Sequence, residues 1–291
     1  MRLCVSEAVA AIVVVSFFLL YPSWPEYASS QHYRSEHVAH TSAANGTKHA
    51  IVSSLYDNSY GIALRVLAHS LDKANMHADK ILLYLPTQVH IEVLLEVQQA
   101  GWQLWPVKRI DPPKAGVSHQ FRDQFTKLRI WELVQYESVI YLDADTLVLR
   151  NFDELWSLPT AFAAVPDIYL DDRSWVLGIN AGVMFVKPSV DTFNNLLRDI
   201  HTVVYEPSQA EQSFLREKYA YSVMRLPYIY NGNLAIKKKS AEVWKALEPD
   251  MAIIHYTLEK PFHRPEHEQQ GKLFEQEFAL WWNMKHDMKN R

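Results

Sequence analysis

Cysteine is almost missing from this chain. Of 291 residues only Cys4 is one, at the extreme N-terminus. No intrachain disulfide and no thiolate metal site is available to the body of the protein, so any metal there must use oxygen and imidazole ligands. Excess charge is lacking too. The net charge is -4, with 29 Lys plus Arg against 33 Asp plus Glu. No overall basic field favours nucleic acid, and no nucleic-acid partner is expected. Internal repeats and long low-complexity runs are absent from the sequence. Apolar residues are plentiful: 48% are hydrophobic and 12% aromatic, enough for the core of one large domain or two small ones.

The N-terminus carries the longest apolar run, Leu3–Tyr21, preceded by Arg2 and interrupted by Glu7. Its uninterrupted core, Ala8–Tyr21, is shorter than the ~20 residues that cross a bilayer comfortably. A cleaved signal peptide and a buried helix are the alternatives, but a good A-x-A cleavage site is lacking: the best candidate ends at Ala28 and has Glu26 two residues before it. Residues 1–21 are therefore expected to be a single-pass signal anchor. Residues 22–48 are polar, rich in Ser and His, and without apolar periodicity; they read as a flexible luminal stem. The stem holds the sequon Asn45-Gly46-Thr47, which suits a luminal location. The expected setting is a secretory-pathway membrane, the Golgi, with residues 49–291 as a luminal catalytic domain.

From His49 onward strands and helices alternate. "HAIVSSL", "KILLYLP", "WQLWPV" and "SVIYLDAD" read as strands. Between them "NSYGIALRVLAHSL", "QVHIEVLLEVQQAG" and "FRDQFTKLRIWELVQY" read as helices, the second closed by Gly101. Such alternation predicts an α/β fold with a parallel sheet, whose ligands sit at the carboxyl ends of the strands. Further on, "AFAAVPD", "AGVMFVKP" and "MAIIHY" read as strands, and "SVDTFNNLLRDIHTVV", "SQAEQSFLREKY" and residues 267–289 as helices. The aromatics of that last helix face either the core or a membrane surface.

"VIYLDADTLVLRNFDELW" ends an apolar strand on Asp143 and Asp145. On an extended strand such residues share a face about 6.5 to 7 Å apart. Two unpaired anions that close are unfavourable unless a cation or hydrogen-bond donors lie between them, and a hard divalent ion takes oxygen ligands. The pair alone also fits a turn or helix cap. It further resembles the first motif of haloacid-dehalogenase-like phosphatases, with Asp143 as nucleophile and Asp145 as acid/base. That motif normally opens its domain, whereas about ninety residues of α/β pattern precede it here.

Four blocks in order resolve the choice: residues 126–156 around the aspartate pair, "INAGVMFVKPSVDTFNNLL", "RLPYIYN" and "IIHYTLEKPF". Together they resemble glycosyltransferase family 8, the glycogenin-like retaining group, over about His49–Phe262. The resemblance implies a GT-A (Rossmann-like) nucleotide-diphospho-sugar transferase fold with a mixed central sheet, a UDP-sugar donor, a glycan or small-molecule acceptor, and Mn2+ (or Mg2+). By that likeness Asp143, Asp145 and His255 hold the metal. Asp143 or Ala144 touches the ribose, and Ser54, Tyr56, Asp57 and Tyr60 hold the uridine. Lys127 meets phosphate or sugar, and Lys260 the diphosphate. Asn180, Ala181 and Gly182 line the sugar pocket, with Asp167 accepting from sugar hydroxyls and Glu211-Gln212 near the anomeric carbon.

The sequence departs from the family pattern in three places. "HYTLEK" lacks the glycine often found between the metal histidine and the lysine, and is one residue shorter. Glu211 stands where an aspartate is usual. The glycogenins' self-glucosylated tyrosine has no counterpart in "GNLAIKKKSAEVWKALEPDMAIIH" after Tyr230-Asn231; Lys238 falls at about that position. Self-glucosylation is therefore not expected. The Lys237–Lys239 run reads as a solvated face or as a contact to an anionic acceptor.

Overall fold

The apolar stretches pair into two sheets. A computed structural model describes residues 48–113, 115–269 and 272–289; the expected anchor at 1–21, and the expected stem except Lys48, lie outside them. The main sheet begins with β1 (His49–Leu55), β2 (Asp79–Tyr84), β3 (Gln103–Pro106) and β4 (Ser138–Leu142), all parallel, with β1 flanked by β2 and β4. Helices α1 (Gly61–Lys73) and α2 (Ile91–Gln99) supply the crossovers. Gly101 lies at φ +97, a left-handed conformation that closes α2 and that Gly adopts at little cost.

The sheet is mixed because the next two strands have no helix between them. β6 (Phe162–Ile168) and β7 (Trp175–Val186) are joined by a short loop, and so short a link allows only antiparallel pairing. β7 slots between β4 and β6, antiparallel to both, and β8 (Met224–Arg225) completes the order β3-β2-β1-β4-β7-β6-β8. β7 starts six residues before the strand expected from "AGVMFVKP". Its first four residues alternate between exposed and half-buried, and its last eight are all buried. Helices α3 (Val190–Thr202) and α4 (Ala210–Lys218) lie where expected.

The stretch "FRDQFTKLRIWELVQY" departs from expectation. It winds as a 3-10 helix over Gln124–Glu132. Phe125, Thr126, Lys127, Leu128, Ile130 and Trp131 are all buried, so the segment has almost no solvent face to set a 3.6-residue period.

A second sheet, β5 (Thr146–Val148), β10 (Ile253–His255) and β9 (Gly232–Asn233), begins four residues beyond the end of β4. The chain thus leaves one sheet at Leu142 and enters another at Thr146, with Asp143 and Asp145 in the crossing. Two short helices follow β9, α5 (Leu234–Lys239) and α6 (Ala241–Leu247). The C-terminal helix α7 (Glu275–Lys289) starts later than the sequence pattern suggested. It buries Phe278 and Trp281 against Val66, Leu147, Ile254 and Tyr256, with Phe274 just ahead of it in the same cluster, so its aromatics face the core. No described helix is long and apolar enough to cross a membrane. The lysine run is divided: Lys237 pairs with buried Glu277 of α7 at 2.6 Å, Lys239 donates to the Asp171 carbonyl at 3.3 Å, and Lys238 is exposed.

Asp287 ties α7 to α1 through His69 and Lys73, each at 2.9 Å. These partners, His69 first, hold its carboxyl at about 2 rather than 3.8. A carboxyl held low stabilises the fold above its ordinary range and loses that contribution as pH falls to its folded value. Asp287→Asn should therefore lower the melting temperature, with the gap to wild type closing as pH falls from 3.8 to about 2. Melting curves against pH read this directly.

Candidate active site

The crossing between the sheets explains how residues far apart in sequence meet. β5 pairs antiparallel with β10, and His255 lies opposite Thr146, the residue after Asp145. The Tyr256 N–H donates to the Asp145 carbonyl at 3.0 Å. On the other side, the Asp143 N–H donates to the Gly182 carbonyl of β7 at 2.8 Å. Asp143, Asp145 and His255 are therefore fixed by backbone ladders from both sheets.

Their ligating atoms all lie within 4.8 Å of one another. His255 Nε2 is 3.3 Å from Asp145 Oδ1 and 3.8 Å from Asp143 Oδ2. Two carboxylates and one imidazole are a donor set suited to a manganese-like divalent ion, so the residues present fit the expected metal. Lys260 contacts the second oxygen of Asp145 and donates to the Tyr256 carbonyl at 2.5 Å. Burial by itself would raise the Asp145 carboxyl; Lys260 and His255 outweigh it and hold the group well below the usual carboxylate range.

Lys127 is only 2% exposed. Its ammonium meets Asp143 at 3.0 Å, Glu211 at 2.8 Å and the Ala181 carbonyl at 3.2 Å. An ammonium has three N–H donors, and protein acceptors take all three. Lys127, expected to meet phosphate or sugar, thus neutralises two site carboxylates at once. Burial opposes its charge, but Asp143 and Glu211 outweigh burial and hold it protonated. Glu211 is buried as well, and burial pushes its carboxyl up, partly countered by Lys127. The longer Glu side chain at this position reaches Lys127 from α4.

The sugar-side wall is a hydrogen-bonded unit. Asn180 Nδ2 donates to Asp167 Oδ1 at 3.2 Å, and Gln212 Nε2 donates to Asp167 Oδ2 at 2.9 Å. Gln212 Oε1 accepts from the Ala181 N–H at 3.0 Å. Burial raises the Asp167 carboxyl. A Cβ on Gly182 would lie 2.1 Å from His255 Cε1, so glycine at this position makes room for the imidazole ring.

A cleft of about 1040 Å³ opens over these groups. Asp143, Ala144, Asp145, His255 and Lys260 line it on the metal side. Ser54, Tyr56, Asp57 and Tyr60 line the side formed by the end of β1. Lys127, Asn180, Glu211 and Gln212 line the sugar side. Asp167, Ala181 and Gly182 do not line it; they act from behind, through the bonds just described. Asp57 also serves locally, its carboxylate accepting from the Ser59 N–H at 2.8 Å as a helix cap. Tyr60 packs edge-on against Phe262, with centroids 5.4 Å apart.

Two residues at the site escaped the sequence reading. Tyr141 donates to Asp143 Oδ1 at 3.0 Å and bonds the Ser54 hydroxyl at 2.7 Å. It lies two residues before Asp143, on the same strand face, so its period-2 position was the available signal. Asn231 sits 3.0 Å from His255 Nδ1; it closes the "YIYN" block but was not singled out.

Comparison with known proteins agrees with this geometry. The model of the family described as Glycosyl transferase family 8 matches residues 51–265. Among curated relatives, the chain is 26% identical over 237 residues to a glycogenin of Neurospora crassa, covering 79% of this chain and 34% of the relative. It is 28% identical to UDP-glucuronate:xylan alpha-glucuronosyltransferase 2 of Arabidopsis thaliana, covering 74% of this chain and 36% of the relative. The chain thus spans only about a third of the length of these relatives. Among solved structures it is similar to the glycosyltransferase GlyE of Streptococcus pneumoniae TIGR4, with a TM-score of 0.58 at 21% identity over 82% of this chain and 60% of that one. It is also similar to the galactosyltransferase LgtC in complex with donor and acceptor sugar analogues, with a TM-score of 0.55 at 16% identity over 82% and 95%. At these identities the likeness establishes the GT-A fold alone.

Proposed function

The chain belongs to glycosyl transferase family 8, and from that premise we propose that it is a metal-dependent retaining glycosyltransferase, moving a hexose from a UDP-sugar to a glycan or small-molecule acceptor. The observation that carries the reading is the convergence of Asp143, Asp145 and His255 within 4.8 Å at the wall of a cleft that also presents Lys260. Asp143, Asp145 and His255 would hold Mn2+ or Mg2+. When bound, such an ion supplies a Lewis acid for the donor's diphosphate oxygens.

The chain's own residues supply the rest. Lys260 brings a cation to the place where charge grows on the departing UDP, and in a water-poor cleft such a charge is worth several kcal/mol. Lys127 fixes Asp143 and Glu211 in one geometry, so neither carboxylate has to reorganise during the reaction. Asn180 and Gln212, held in place by Asp167 behind them, orient the sugar through their remaining amide donors and lone pairs. Asp167 is tied by Asn180 and Gln212, and Glu211 by Lys127. These restraints support a front-face, ion-pair-like displacement over attack by either carboxylate on the anomeric carbon. Self-glucosylation is not part of the proposal: residues 232–255 contain no tyrosine. The apolar run Leu3–Tyr21 supports a single-pass anchor with the catalytic domain in the secretory lumen, the Golgi being the expected compartment.

A panel of UDP-sugars incubated with the purified protein tests the reading. Release of UDP from at least one donor should require Mn2+ or Mg2+, stop on chelation and return when the ion is restored. The intact mass of the protein should not change. Turnover that persists undiminished in chelator would remove the metal from the account, and failure with every donor and acceptor would remove the transferase reading.

A further inference from the structure

We propose that Asn231 is a positioning residue for the metal site, holding His255 in the tautomer that leaves Nε2 bare toward Asp143 and Asp145. The inference rests on reading those three residues as metal ligands. A metal-bound imidazole presents a lone pair, so its other nitrogen must carry the proton. The sequence offers no direct statement of which nitrogen that is; the hydrogen-bond polarity around His255 does.

The polarity starts at a backbone group. The Gly182 N–H can only donate, and it donates to Asn180 Oδ1 at 3.0 Å. The Asn180 amide is therefore oriented with Nδ2 outward, and Nδ2 meets the acceptor-only carboxylate of Asp167 at 3.2 Å. Both ends of that amide agree. Asn180 Oδ1 also receives Asn231 Nδ2 at 3.0 Å, which turns Asn231 Oδ1 toward His255 Nδ1, 3.0 Å away. An amide oxygen only accepts, so Nδ1 carries the hydrogen. In the neutral ring Nε2 is then unprotonated, 3.3 Å from Asp145 Oδ1 and 3.8 Å from Asp143 Oδ2.

Packing fixes the ring that this chain orients. His255 is 3% exposed and Asn231 1%. His255 Cε1 and Nδ1 lie 2.1 Å and 2.7 Å from where a Cβ on Gly182 would stand, so the ring rests against bare backbone. β9 begins directly after Asn231, and Asn233 is in register with His255, so a backbone ladder sets the distance between the amide and the imidazole. One fixed backbone N–H thus determines, through two asparagines, which face of His255 is offered to a cation.

Two measurements test this separately from the metal reading. Nitrogen-15 NMR of the metal-free wild type should show a hydrogen on His255 Nδ1, its signals assigned by their loss in His255→Gln. A ring protonated at Nε2 alone, with Nδ1 bare, would overturn the proposal whatever the variants do. Mn2+ binding followed by electron paramagnetic resonance should weaken about 10- to 100-fold in Asn231→Leu, the usual cost of losing a group that orients a metal-bound histidine. Equal Mn2+ affinity in Asn231→Leu and wild type would contradict the inference. Absence of Mn2+ binding in the wild type would instead sink the metal reading, with the NMR result still deciding the tautomer. The NMR result also decides if Asn231→Leu fails to fold.

Discussion

Asp145→Ala should lower UDP-sugar turnover by about a thousandfold or more, with the fold retained. The residue is one of three candidate ligands, is buried, and is the partner of both His255 and Lys260. Loss of an ion that contributes several kcal/mol of charge stabilisation corresponds to roughly three decades in rate at 1.36 kcal/mol per decade. The same change should remove Mn2+ binding, and added metal should not restore the rate. Circular dichroism and a melting curve establish that the variant is folded. Full activity in a folded Asp145→Ala protein would overturn the ligand assignment.

The largest stability effect is expected at Lys127. Lys127→Met leaves Glu211 and Asp143 without their common cation, and breaking a buried ion pair by removing one partner costs about 3 to 5 kcal/mol. For a domain of this size that corresponds to a melting-temperature loss of about 6 to 20 °C. Adding Glu211→Gln should recover about 1 to 3 kcal/mol by neutralising the more deeply buried carboxylate. Asp143 keeps the Tyr141 hydroxyl at 3.0 Å and has 26% of its side chain exposed, so it tolerates the loss better. Chemical denaturation of the single and double variants measures this coupling. Simple additivity of the two substitutions would show that Lys127 and Glu211 do not act as a unit.

Much of the fold was legible because its signals are local. β1, α1, β2, α2 and β3 follow from apolar periodicity and from Gly101. The 3-10 winding of Gln124–Glu132 was not legible, because a segment buried on nearly every side has no polar face to mark its period. The antiparallel insertion of β7 was not marked by periodicity either: strand direction depends on the link between β6 and β7, which side-chain alternation does not report. The second sheet was missed because β5 and β9 are only three and two residues long.

At the site, sequence spacing could show that Asp143 and Asp145 needed a cation or donors, but not which. His255 came from the family resemblance alone; the β5–β10 ladder supplies the physical reason it is there. The phosphatase alternative for Asp143 falls with the family match over residues 51–265. Roles that depend on hydrogen-bond polarity stayed out of reach. Gly182 was expected to line the sugar pocket; that its missing side chain makes room for the His255 ring shows only in the structure. Lys127 was expected to meet the donor; that it holds two carboxylates together shows only in the structure. Asn231 carries no charge and stands at the end of an apolar block, so only its placement beside Nδ1 reveals a role.

The measurement that bears most directly on the metal-dependent transferase reading is a crystal structure with Mn2+ and UDP, read by anomalous scattering. The account predicts a single Mn2+ peak bound by Asp143, Asp145 and His255 Nε2, with the UDP diphosphate on the ion and the uridine between Ser54 and Tyr60. Mn2+ held by other residues, or UDP bound in the cleft with no metal at these three side chains, would contradict it.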